Sequence, residues 1–251
     1  MFRFTFVGLS VAAWGLIGIA SNAVQASQIA YDTAGDSAYN NGWTQGSDGG
    51  FGWGDGWTLA TPSPDNTFLG SSNVNSPRAP GGRAWGLRGS KASRAFSGPL
   101  TIGQTFSADF ETTQVNNPEA RDFIELGSGG TFPLAMDTLN TYVFFAYPSS
   151  APLGIPVDSG VPVNSEGIHV TFTRTETAYV AAITPYLPGA STTTVSLPYT
   201  GDVDSFAFGR TGVFPDNPLY VNNIQITPEP GSLMLTALGG AGALLRRRRT
   251  Q

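Results

Sequence analysis

The sequence predicts an all-β protein, a single jelly-roll sandwich of two curved sheets, and three observations carry that expectation. Its 251 residues hold 32 Gly and 18 Pro among many Ser, Thr and Asn, a balance that disfavours helices. Short runs of β-branched and aromatic residues recur every ten to fifteen positions or so, the spacing of sandwich strands. Between the two ends, no stretch shows a 3.6-residue apolar period.

Read in order, the chain opens with Arg3, an uncharged apolar run from Phe4 to Ala20, and Ala23-Val24-Gln25-Ala26. A short positive start, an apolar core and small residues before a cut describe a secretory signal, with cleavage expected after Ala26. Gly35 to Gly82 reads as loop-dominated. Strands are expected near Ala84–Arg88, Arg94–Phe96, Gln104–Thr112, Asp122–Leu126, Thr141–Tyr147, Gly167–Arg174, Ala178–Pro185, Thr192–Leu197, Ser205–Gly209 and Tyr220–Thr227. Thr175-Glu176-Thr177 is expected to turn a hairpin. In two strands the alternation is plain: Phe106, Ala108 and Phe110 oppose Thr105, Ser107, Asp109 and Glu111, while Ile168, Val170 and Phe172 oppose His169, Thr171 and Thr173. That pattern predicts one buried face and one wet face. No domain boundary is visible between Ser27 and Thr227.

The tail is TPEPGSLMLTALGGAGALLRRRRTQ. Pro228, Glu229 and Pro230 fix the backbone and remove two donors, so packed structure should end there. An uncharged run from Gly231 to Leu245 follows, then Arg246, Arg247, Arg248 and Arg249, a block that favours the cytoplasmic face and would halt transfer through a membrane. As a helix, Leu233 to Leu245 would span only about 20 Å against roughly 30 Å of hydrocarbon, short for a permanent anchor. This order of parts closely resembles the PEP-CTERM sorting signal of bacterial exported proteins, with Thr227 standing where members commonly carry Val. The resemblance implies recognition by an exosortase, transient membrane anchoring through the apolar helix, and release to the envelope or an extracellular polysaccharide matrix. An ordinary tail anchor is the alternative.

Without the two address segments, eight basic side chains face seventeen acidic ones, a formal charge of −9. So acidic a body argues against nucleic acid, which is bound by clustered Lys and Arg. There is no cysteine. Disulfides, thiolate metal sites and cysteine nucleophiles are excluded, and hydrophobic burial must hold the exported body together.

A second resemblance lies in the body. Asn40-Asn41-Gly42-Trp43, Gly54-Asp55-Gly56-Trp57, Ala84-Trp85-Gly86-Leu87, Ser93-Arg94-Ala95-Phe96 and Val221-Asn222-Asn223-Ile224 together look like the bodies of planctomycete-type PEP-CTERM proteins. Those bodies are similar to concanavalin A-like, laminin-G-like sandwiches, so the resemblance implies a fold and not an activity. Many such sandwiches bind structural calcium, for which Asp48 with Asp55, or Asp202 with Asp204, are the candidates here; no EF-hand pattern is present.

Trp43, Phe51, Trp53 and Trp57 sit on a glycine-rich backbone. Such rings either close one end of the sandwich or, exposed, stack on sugars; Trp53 and Trp57 are the candidates for stacking. Glycosidases on related folds use two carboxylates about 5 Å apart. Asp109 and Glu111 share a face but Thr113 stands where a third acid is expected, and Glu119, Asp122 and Glu125 at spacing three alternate faces. Both sets read as solvated strand charges. His169, the single histidine, reads as a wet-face strand residue with no Ser/Asp partners that sequence can place beside it, and no Gly-x-Ser-x-Gly elbow occurs.

Three functions follow as expectations: a non-catalytic exported envelope or matrix protein without catalytic or metal-ligating residues and without a cofactor; a carbohydrate-binding module for exopolysaccharide; and a glycoside-active enzyme. The first is preferred.

Overall fold

The computed structural model of the chain describes residues 28–61, 65–71, 82–112, 121–146, 155–211 and 217–228. Within them the strands are β1 (Ala30–Asp32), β2 (Thr58–Leu59), β3 (Thr67–Ser71), β4 (Arg83–Leu87), β5 (Lys91–Ala95), β6 (Thr105–Thr112), β7 (Arg121–Ser128), β8 (Thr131–Thr138), β9 (Thr141–Ala146), β10 (Ile155–Pro162), β11 (Ile168–Arg174), β12 (Tyr179–Pro185), β13 (Thr193–Leu197), β14 (Ser205–Thr211) and β15 (Leu219–Thr227), with a 3-10 turn at Ser37–Tyr39. The expected N-terminal signal, Glu229, Pro230 and the arginine block lie outside the described residues.

Every named strand pair is antiparallel, and the pairs build two sheets. One runs β13-β12-β11-β6-β15-β4-β3, with β1 added beside β15; the other runs β10-β9-β8-β7-β14-β5-β2. β15 serves two neighbours along one edge: Leu219 to Val221 pair with β4, and Ile224 to Ile226 pair with β1. A bulge between Asn222 and Gln225 separates these halves, and Asn223 there takes φ +48°. The inward rows meet between the sheets. Phe106, Ala108 and Phe110 from β6 and Ile168, Val170 and Phe172 from β11 face Ile124 and Leu126 from β7 and Phe206 and Phe208 from β14, all buried. An all-β sandwich is therefore what the residue pattern makes.

The expected hairpin is present, with Arg174 opposite Tyr179 and the Thr175 amide donating to the Ala178 carbonyl at 2.8 Å. Five strands were invisible in the sequence. β1, β2 and β3 are short pieces beside or inside the Gly-rich stretch. β8 carries Pro133, placed where the β7–β8 register shifts between Leu126 and Ser128 and no ladder donor is required. β10 holds Pro156, Gly160 and Pro162, which fits its place at a sheet edge.

The wet face expected on β6 is a correction. Ser107, Asp109 and Glu111 point away from the core as the alternation requires, yet all three are buried. His169 of β11, Asn223 of β15 and Tyr186 past β12 close over Asp109.

Candidate functional site

Two polar centres organise the molecule, one inside the sandwich and one on its outer face. The inner centre begins with Arg94, which occupies a core-facing position of β5 between Ala92 and Phe96. A guanidinium there needs partners for its donors. Its Nη1 donates to Asp32 Oδ2 at 2.5 Å and to the Gly49 carbonyl at 3.1 Å, its Nε to the Asp55 carbonyl at 2.7 Å, and its Nη2 to Asp48. Tyr39 donates its hydroxyl to the same Asp32 oxygen and accepts from Trp57 Nε1 at 2.9 Å. Burial pushes the Asp32 carboxyl up to about 6, against the pull of the Tyr39 hydroxyl and the Arg94 charge. Every partner belongs to β1 or to the loop between β1 and β2. The centre therefore fastens the glycine-rich loop over one end of the sandwich.

The outer centre is built on β6, β11 and β15. Asp109 and His169 are cross-strand partners, and Nδ1 of His169 lies 2.8 Å from Asp109 Oδ1. Tyr186, just past β12, donates to the same oxygen, while Asn223 Nδ2 donates to Oδ2 at 2.7 Å. The left-handed backbone at the β15 bulge is what turns Asn223 toward the carboxylate. Tyr31 donates to Asn223 Oδ1 at 3.3 Å, and burial raises its hydroxyl pKa. Asp109 is only 4% exposed and His169 keeps 23% of its side chain in solvent. A cavity of about 10 Å³, room for about one water, lies beside Asp109 and is lined also by Ala84, Phe110, Glu111, Tyr220, Val221 and Asn222. With Nδ1 donating to the carboxylate, the Nε2 of a neutral His169 ring is an acceptor. The centre can fix a hydrogen-bonding surface.

The sequence-derived candidates fall as follows. Trp57 is fully buried and packs 5.0 Å from Trp85 and 5.5 Å from Phe208, so it has no face for a sugar. That corrects its stacking assignment. Trp53 is half-buried against Phe96 and Phe206 with Arg94 over its ring at 5.3 Å, which also spends it on packing. The rings close the sandwich end. Solvated strand acids are a further correction: Asp109 and Glu111 are buried, and Asp122 points inward in a bidentate pair with Arg210 at 2.5 Å. Glu125 takes the opposite face and pairs with Lys91 at 2.6 Å, as spacing three requires; Glu119 and Thr113 lie outside the described residues. Asp48 faces Arg94, Asp55 accepts from the Ala95 amide, Asp202 pairs with Arg174 and Asp204 accepts from Ser128. Among the described residues no three His, Asp or Glu side chains gather as a metal site.

His169 is outward and partly exposed as expected, and beside it stands an acid, Asp109, that the sequence could not place there. Sequence reasoning also missed Asn223, Tyr186, Asp32 and the role of Arg94. The signal for Arg94 was present: a charge at a core register between two apolar positions. The doubled Asn222-Asn223, which breaks the alternation of the strand, marked the bulge.

No protein-family model matches the chain, and no curated protein matches it. Among solved structures it is similar to the exoplasmic/lumenal domain of VIP36 in a Ca²⁺/Man3GlcNAc-bound form, at 8% identity and TM-score 0.47, over 68% of this chain and 83% of that one. It is similar also to an uncharacterized protein, an Rv0315 ortholog, from Mycobacterium paratuberculosis, at 13% identity and TM-score 0.46, over 72% and 94%. A third is the globular domain of T. cruzi calreticulin, at 11% identity and TM-score 0.44, over 76% and 90%. The sandwich rests on the strand pairing above and not on these likenesses.

Proposed function

We propose that the protein is an exported, non-catalytic β-sandwich of the cell envelope or extracellular matrix, delivered by its N-terminal signal and sorted by the PEP-CTERM-like tail through an exosortase. The observation that carries this reading is the order Pro228-Glu229-Pro230, apolar run, Arg246 to Arg249 at the C-terminal end of the sequence. A non-catalytic body is supported by the state of its acids: Asp109 accepts at both oxygens, and Asp122 is held by Arg210. Among the described residues the last strand, β15, ends at Thr227 immediately before Pro228, which supports a processing site beyond it.

Intact mass of the protein in the extracellular fraction of its host tests the reading. The expected species starts at Ser27 and ends near Pro228 to Gly231. A chain retaining Arg246 to Arg249 and confined to membranes would replace sorting by permanent tail anchoring.

A second reading, carbohydrate binding, is favoured by the outer centre, where Asp109, Asn223 and His169 are framed by Tyr31 and Tyr186. Trp53 and Trp57 have no part in it.

A further inference from the structure

In the larger sheet, three rows of outward side chains cross β6, β11 and β12, beyond the row in which Glu111 pairs with Tyr220. One row runs Asp109, His169, Thr184, with Thr192 bonded to Thr184 at 2.8 Å. The next runs Gln225, Ser107, Thr171, Ala182, Thr194, and the third runs Thr227, Thr105, Thr173, Val180, Ser196. The second row continues from Gln225 to Tyr31; of acidic and basic side chains these rows hold Asp109 and His169, which pair with each other. The outward face of the other sheet differs, with Lys91 joined to Glu125 and set over the Phe123 and Phe132 rings.

We infer that the hydroxylated outer face of β6, β11, β12 and β13 binds a single neutral polysaccharide chain lying across the strands. It rests on the matrix reading above only for its setting. A hydroxyl both donates and accepts, and hydroxyls bonded in pairs, such as Thr105 with Thr173 at 2.8 Å, still offer one donor and spare lone pairs outward. Glycan hydroxyls have the same dual character. Strands stand about 4.8 Å apart, close to the length of one pyranose ring, so a chain crossing β11, β12 and β13 meets one row member per sugar, with Ser107 and Asp109 of β6 buried beneath.

Charge selects the neutral class. The rows offer no Lys or Arg to a polyanion, and the body's formal charge of −9 repels one. Sheet twist selects a single chain, because strands rotated by roughly 20° from their neighbours cannot match the flat lattice of a crystalline surface. The Asp109 centre ends the first row as an anchor, its carboxylate fixed by three donors and the His169 side chain partly exposed.

The test is affinity electrophoresis of the purified full chain through gels containing dextran, laminarin, hydroxyethylcellulose or alginate. Retardation by at least one of the three neutral glycans is expected. The combined Thr171→Val, Thr173→Val, Thr184→Val variant should weaken that association about tenfold, the effect of losing three modest hydrogen bonds. The matching Thr→Ser variant should stay within about twofold of the parent. Circular dichroism melting of both variants shows whether the fold is kept; if the Val variant unfolds, Thr194→Val with Ser196→Val at the exposed β13 end of the same rows carries the test and should weaken association severalfold. No retardation by any neutral glycan, retardation by alginate alone, or equal binding by a folded Val variant would overturn the inference. So would a Val variant altered only in self-association by ultracentrifugation, which would make a second copy the occupant. None of these results bears on the sorting tail, whose own test is the intact mass.

Discussion

Burial drives the Asp137 carboxyl up to about 6 from an ordinary 3.8, and the Arg121 charge 3.4 Å away only partly opposes it. Arg121 is half in solvent, so its field is screened, whereas the Asp137 side chain is only 16% exposed. The folded chain thus holds a proton that the unfolded chain releases. Stability from this group is full below pH 3.8 and is lost as pH rises through about 6. Asp137→Asn keeps the shape without the charge. It should exceed the parent by about 1–3 kcal/mol at pH 8 and match it near pH 4 in urea unfolding; equal stability at both pH values would show that the carboxylate is well solvated. At this scale the sequence named residue types correctly but misjudged surroundings. Asp109, Asp122 and His169 were visible as charges on strands, but what buries them is a neighbour 60 or more positions away.

At the scale of elements, the glycine-rich loop shows how a segment without regular structure is held. Phe51 exchanges backbone hydrogen bonds with Tyr31, so the loop forms a short bridge to β1. Gly50 makes that approach possible: its φ is +69°, and a Cβ there would stand 2.0 Å from the Tyr31 carbonyl oxygen. Gly50→Ala should therefore cost about 2–4 kcal/mol through strain and a displaced loop, read as a lower urea midpoint and faster proteolysis between Ser37 and Trp57. Gly98→Ala, with open space around it and no positive φ, is the matched control and should be neutral. The strong strands were legible because β6, β11 and β12 alternate without interruption. β8 and β10 were not, since Pro133, Pro156 and Pro162 read as breakers until a bulge and a sheet edge excuse their missing donors.

For the molecule as a whole, the two sheets are joined at one end by an aromatic cluster. Trp57 meets Trp43, Trp85, Phe206 and Phe208 with centroids 5.0–5.6 Å apart, linking the loop to both β4 and β14. Without disulfides this burial is the main cohesive force available, and rings of this size each bury roughly 150–250 Å². Trp57→Ala should lower stability by about 3–5 kcal/mol in a single cooperative transition, because it opens a cavity and leaves the Tyr39 hydroxyl without one donor. A loss below about 1 kcal/mol would return Trp57 to the surface role that its glycine neighbours first suggested.

The sequence by itself determined the class of fold, the absence of disulfides and the acidic composition, because each of these depends on composition or local periodicity. The tertiary structure alone decided which residues meet. Arg94 finds Asp32 across 62 positions, and Asp109 gathers His169, Tyr186 and Asn223 from three separate segments. It also decided that the outward rows of β6, β11, β12 and β13 form one hydroxylated surface. Strand order and register fix those neighbours, and both arise from long-range pairing that no local pattern encodes.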